Sequence, residues 1–263
     1  MPRDILECIG DTPLVPLRHV AAEGGARILL KVESENPTGS MKDRMALAMI
    51  EAAEGDGRLA PGGAVVEYTG GSTGVSLALV CAVKGHPLHV VSSDAFSREK
   101  LDHMKILGAT LEIVPSESGR MTEKLTRDMI AAAGVVAART GAFWTDQMKN
   151  TDQLAAYRKM AQEIWEQTGG AAGAHKIDGI GAGFVVPLWE AGMADRIEQV
   201  SMEEAVAMAF RLAREEGLFA GTSTGANVIA ALRLAGEMGR GTTVVTVMCD
   251  TGMKYLRTYG SRL

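Results

Sequence analysis

Between Ala64 and Gly134 the chain alternates two periods. Short β-rich runs, AVVEYT, LHVVS and LEIVP, each give way to a helix-period run: GVSLALVCAVKG, SREKLDHMKILG and MTEKLTRDMIAAAG. Strands alternating with helices of this length predict parallel βαβ units, with helices over both faces of the sheet. Before this block lie a strand, ILLKV, a loop rich in Asn, Pro, Thr, Gly and Ser, and a helix ending near EGDGRL. After it, TDQLAAYRKMAQEIWEQTGG predicts a long helix, with Asn150 or Thr151 as N-cap and Gly169 and Gly170 as stops. Helices at MEEAVAMAFRLAREEG and GANVIAALRLAGEMG, then an apolar strand, TVVTVM, follow. The expected organisation is a larger α/β domain from 1–44 and 146–263, with a smaller α/β domain, 45–145, inserted into it.

Composition bounds the function. The chain has 263 residues, 46% of them hydrophobic and 22% charged, enough for a sizeable core. A formal net charge of −5 argues against a nucleic-acid partner, since phosphate-backbone binding needs clustered Lys and Arg. No apolar run approaches the roughly 20 residues that span a bilayer, and the start has no signal-type apolar region, so a cytoplasmic location is expected. Cys8, Cys81 and Cys249 are too few and too scattered for a disulfide framework or a metal site, and His86 and His89 flank a proline at a strand start.

Four loops concentrate Gly, Ser and Thr: TGGSTG (69–74), GIGAG (179–183), GTSTG (221–225) and CDTG (249–252). The first follows a strand and opens a helix, so free backbone N–H groups and the positive helix end converge there. That geometry binds a carboxylate or phosphate without a charged side chain, although the same glycines also serve a tight strand-to-helix turn. None of these loops carries a Walker A or dinucleotide fingerprint. GTSTG matches the G-x-S-x-G nucleophile elbow at Ser223, but no histidine follows Ser223 and the preceding segment is helical, which argues against a hydrolase.

The stretch ENPTGSMKDRMA resembles the lysine motif, N-P-x-x-S-x-K-D-R, of the fold type II pyridoxal-phosphate enzymes, in particular the cysteine synthase and cystathionine β-synthase group. EYTGGSTGVSLA is similar to that family's substrate-carboxylate loop, HKIDGIGAGFVVP to its H-x-I-x-G-I-G-x-G-F segment with one extra Val, and CDTGMKYLRTYG to its terminal cofactor-ring loop. IGDTPLVPL also matches, and the motifs follow family order over nearly the whole chain. The resemblance implies two α/β domains of mostly parallel sheets, pyridoxal 5′-phosphate as cofactor, and a homodimer. It makes Lys42 the amine that forms a Schiff base with the cofactor and then serves as base at the substrate α-carbon. Ser72 and Thr251 become cofactor contacts, with Thr251 at the pyridine nitrogen. Thr69, Gly70, Ser72, Thr73, Gln147 and Gly179 become substrate contacts. Asp250, beside Thr251, is expected to be structural.

Two departures stand out. The family loop is commonly T-S-G-N-T-G, and here Ser72 takes the place of its Asn. Between EIWEQTGG and HKIDGIG, where family members carry a G-T-G-G-T-like loop for the cofactor phosphate and flanking strands and helices, this chain has only AAGA. An internal deletion after Gly170 therefore predicts weakened phosphate binding and a thinned sheet, with GTSTG as a substitute anion site of lesser promise. The implied activity is β-replacement on a serine-derived amino acid, O-acetylserine plus sulfide or another thiol to cysteine. The alternatives are an impaired pseudoenzyme or binding protein, a cystathionine β-synthase-like condensation, and serine or threonine dehydration.

Overall fold

The computed structural model describes residues 4–21, 24–117, 119–169, 187–188, 192 and 194–261. Within these the chain forms two compact units. One takes the residues from 42 to 157 with 4–7 and 187–188; the other takes those from 8 to 41, 158 to 169, 192 and 194 to 261.

In the first unit, helix α1 (Lys42–Gly55) leads into the predicted alternation. Strand β3 (Val65–Tyr68), helix α2 (Ser72–Lys84), strand β4 (Leu88–Ser93), helix α3 (Arg98–Ile106), strand β5 (Thr110–Val114), helix α4 (Glu123–Thr140) and strand β6 (Phe143–Trp144) follow, numbered after two strands of the second unit. The four strands pair in parallel in the order β5-β4-β3-β6. Successive side chains of β3 point to opposite faces. Val65 joins a core with Met45, Met49 and Ile50 of α1, Val75 and Leu77 of α2 and Met104 of α3. Val66 and Tyr68 join one with Leu125, Met129 and Ala133 of α4. Each fully buried aliphatic of this kind stabilises by about 2 kcal/mol. The chain runs outward from β3 to β4 to β5, and α4 then carries it across the other face to β6, on the far side of β3. The connection reverses between β3 and β6, and in such sheets ligands bind outside the carboxyl ends of the strands at that point.

The second unit holds strands β1 (Leu14–Pro16) and β2 (Arg27–Val32), antiparallel, and β7 (Thr243–Met248), parallel to β2 with Leu30 opposite Thr246. Helices α6 (Met202–Arg211) and α7 (Thr222–Met238) supply Met208, Val228 and Ala231 to a core with Ile28, Leu30 and Val244. On the other face of β2, Lys31 is wholly buried and pairs with Glu163 at 2.7 Å while donating to the Thr12 carbonyl at 2.6 Å. Glu163 lies on α5 (Gln153–Gln167), within which the boundary between the units falls, after Tyr157. The Asp152 N–H ahead of α5 donates to Asn150 Oδ1 at 2.8 Å, and Gly169, with φ 62°, follows its end. The β-rich run RIEQVS is not a strand. Residues 196–200 are instead held by side chains, through Arg196 on Glu237 at 2.6 Å and Arg233 on the Gln199 carbonyl at 2.7 Å.

Candidate active site

The loop after β3 begins at Thr69, whose N–H still belongs to the sheet, donating to the Val91 carbonyl at 2.9 Å. The chain then turns sharply. Thr69 Oγ1 accepts from the Gly71 N–H at 3.2 Å, and Gly71 caps α2 with extended backbone and no side-chain cap. The first-turn N–H groups of α2 are thus not capped by their own N-cap side chain, at the positive end of a 13-residue helix. Two glycines here are required by space. A Cβ at Gly70 would overlap the Phe96 ring, and one at Gly74 would lie 2.7 Å from Met104 Sδ.

The loop after β6 reaches the same place. Thr73 Oγ1 donates to Gln147 Oε1 at 2.8 Å, and Gln147 Nε2 donates to the Tyr68 carbonyl at 3.0 Å. The structure therefore gathers Thr69, Gly70, Ser72, Thr73 and Gln147 at the reversal point between β3 and β6. Beneath them lies Glu67, a residue with no surface exposure. Its carboxyl accepts from Thr145 Oγ1 at 2.5 Å, the Gln147 N–H at 3.0 Å and the Tyr68 N–H at 2.9 Å. Burial pushes its pKa up to about 7, against the pull of these three donors.

Lys42 is the first residue of α1, and its Nζ donates to the Tyr157 hydroxyl at 3.4 Å, 5.9 Å from the centre of that ring. Its neighbour Asp43, fully buried, accepts from Ser76 Oγ of α2 at 2.5 Å. The helix that starts at Lys42 is therefore tied to the helix that starts in the TGGSTG loop.

In the second unit the residues just before Lys42 pair with the end of β7. The Met41 N–H donates to the Cys249 carbonyl at 2.9 Å and the Thr251 N–H to the Gly39 carbonyl at 3.0 Å. Gly39 has φ 75°, and a Cβ there would stand 2.6 Å from Thr251 Cγ2. Asn36 locks the loop, donating to Glu33 and accepting the Gly10 N–H at 2.9 Å. Thr251 Oγ1 accepts from the Met253 N–H at 3.3 Å, which leaves its O–H able to donate. Asp250 accepts from the Tyr255 hydroxyl at 2.8 Å, and burial together with this carboxylate pushes the Tyr255 pKa far up. Asp250 is thus engaged in packing the 250–255 turn. Gly179 lies outside the described residues.

Each unit by itself presents one group that suits pyridoxal phosphate: a primary amine, Lys42 Nζ, of the kind that condenses with an aldehyde, and a hydroxyl, Thr251 Oγ1, that keeps a proton to donate. For the phosphate the chain has no G-x-G-G-T loop. The glycine-rich start of α7 has lost one donor already, since the Gly221 N–H goes to the Asp250 carbonyl at 3.0 Å.

Two α/β units, one with a lysine at a helix start and a glycine-rich loop at the reversal point of a parallel sheet, are what the fold presents. The chain belongs to the pyridoxal-phosphate dependent enzyme family, whose model matches residues 5–194 and 172–250. It is 33% identical over 302 positions to a cysteine synthase of Staphylococcus aureus, covering 97% of this chain and 96% of that protein. A cysteine synthase B of Pseudomonas aeruginosa is 33% identical over 297, covering 96% and 95%. Among solved structures, cysteine synthase from Entamoeba histolytica superposes with a TM-score of 0.88 at 29% identity, over 100% of this chain and 91% of that one. An O-ureido-L-serine synthase does so at 0.87 and 29%, over 98% and 95%. The 302 aligned positions exceed the 263 residues of this chain, so the relative carries residues without a counterpart here. The family model itself matches in two pieces that meet at 172–194, next to the AAGA segment. Among the described residues no helix is long and apolar enough to cross a membrane.

Sequence reading missed Glu67, Thr145, Phe96 and Tyr157. Glu67 did carry a signal, being a carboxyl inside an apolar run that predicts a doubly buried parallel strand. Phe96 and Tyr157 carried none, since only the fold brings them to Gly70 and Lys42.

Proposed function

We propose that this chain catalyses β-replacement on a serine-derived amino acid, with O-acetylserine and sulfide giving cysteine and acetate. The observation that carries the reading is the Thr73–Gln147 bond at the reversal point, beside a helix start without a side-chain cap. This is a site for the α-carboxylate of an amino acid, held by N–H and O–H donors of Thr69, Gly70, Ser72 and Thr73 and by Gln147. Bound pyridoxal phosphate supplies the electron sink that lets a proton leave the α-carbon and the β-substituent depart. Lys42 Nζ would hold the cofactor at its aldehyde and, when free, serve as the base for the α-proton. Thr251 would donate its O–H to the ring nitrogen, Ser72 would contact the cofactor and Gly179 the substrate. A hydroxyl partner leaves the ring less electron-poor than a carboxylate partner, which suits elimination and replacement over transamination. The β C–O bond breaks to release acetate, and the C–S bond forms from sulfide. Relatives named for cysteine and for O-ureido-L-serine synthesis support the reaction type and leave the nucleophile to experiment. The same reading includes a homodimer, a cytoplasmic location, and domains at 1–44 with 146–263 and at 45–145.

A second reading, an impaired pseudoenzyme, draws on the absent G-x-G-G-T loop. The absorption spectrum of the full chain with added pyridoxal phosphate separates the two. A visible band that Lys42→Ala abolishes and O-acetylserine shifts is the expected result. No band in the folded protein overturns the enzyme reading.

A further inference from the structure

The strand ladder between β3 and β6 ends early. Val66 pairs with Trp144, the Thr145 N–H donates to the Val66 carbonyl at 3.1 Å, and beyond that the two strands part. Glu67 continues the ladder with its side chain. Oε2 takes the Thr145 O–H and the Gln147 N–H, and Oε1 takes the N–H of Tyr68. Between Thr145 and Gln147 stands Asp146 with φ 40°, a left-handed conformation uncommon outside glycine and tolerated by Asp better than by most residues. Glu67 grips the turn on both sides of that residue. Gln147, so placed, reaches Thr73 at 2.8 Å and the Tyr68 carbonyl at 3.0 Å. A carboxyl in the centre of a parallel strand is a costly choice where Val or Ile would pack, and cost of this kind marks functional sites.

We infer that Glu67 is the positioning residue of the carboxylate loop, holding the 145–147 turn so that Gln147 and Thr73 face the α-carboxylate of the bound amino acid. The inference rests on the function proposed above for the identity of that ligand, and on geometry alone for the turn. A side chain with two acceptor oxygens meets all three donors. A glutamine in its place presents one acceptor oxygen and one NH2, so either the Tyr68 N–H or both donors of the turn lose their acceptor, and a leucine leaves all three without one.

Two measurements on Glu67→Leu, which removes both acceptor oxygens, test this. In the full chain without added ligand, amide exchange of residues 68–73 and 145–147 should accelerate by about tenfold or more relative to β4, the mark of lost buried hydrogen bonds. With pyridoxal phosphate, the O-acetylserine concentration that half-shifts the visible band should rise by a similar factor while the band itself is unchanged. Thr145→Val should reproduce both effects and Thr145→Ser, which keeps the hydroxyl, should not, which decides the matter should Glu67→Leu fail to fold. Exchange at 145–147 equal to wild type in these variants overturns the inference. A wild type that binds the cofactor but ignores O-acetylserine overturns the proposed substrate, and the exchange result then still decides the role of Glu67.

Discussion

A buried carboxyl writes its own pH dependence into stability. Burial raises Glu67 from 4.5 to about 7, so the folded chain keeps a proton that the unfolded chain releases. Its contribution is full below the unfolded value and is lost as pH rises through the folded one. The difference is roughly 3 kcal/mol across that window. Urea midpoints of wild type should therefore fall between about pH 5 and about pH 8 by more than those of Glu67→Gln, and equal slopes would refute the shift. At the loop itself, Thr73 loses one charge-assisted donor on truncation, an effect of about 1.5–3 kcal/mol. Thr73→Ala should raise the half-saturating amino-acid concentration some ten- to hundredfold, with the cofactor band retained. Equal loss of cofactor colour would count against the carboxylate role.

Among the secondary elements, those whose signals are local were legible. α6 starts at a reciprocal capping box, in which Ser201 Oγ accepts the Glu204 N–H at 3.2 Å and the Glu204 carboxylate accepts the Ser201 N–H at 2.8 Å. Ser201→Ala should lower stability by about 1 kcal/mol, read as a shift in the denaturant midpoint with activity unchanged. The alternation from β3 to α4 was legible for the same reason, since strand and helix periods are written residue by residue. RIEQVS, though β-rich, forms no strand, because β-branched character does not make one without a neighbour to pair with. Here Arg196 and Arg233 bind that segment through their side chains instead. Lys31 in the middle of β2 likewise could not be read as buried, because its partner Glu163 is 132 positions away in sequence and meets it only in the fold.

For the whole molecule, the proposed cofactor contacts serve the aldehyde and the ring, and the chain has no G-x-G-G-T loop for the phosphate. Phosphate contacts normally separate pyridoxal phosphate from pyridoxal by several kcal/mol through charge-assisted N–H bonds. With no G-x-G-G-T loop in the chain, the two should develop the visible band at concentrations within about tenfold of each other. A preference for the phosphorylated form of a thousandfold or more would mean that another part of the chain, such as the start of α7, supplies the missing donors. What the sequence by itself determined was the class of sheet and the family, because periodicity and short motifs are local properties. Which strands flank β3, and hence the reversal point, was decided only by the tertiary structure. So was the meeting of Thr73 with Gln147 and the clamp of Glu67 on the Asp146 turn. Those contacts join residues some 74 to 80 positions apart, and nothing shorter than a folded sheet brings their atoms within hydrogen-bond reach.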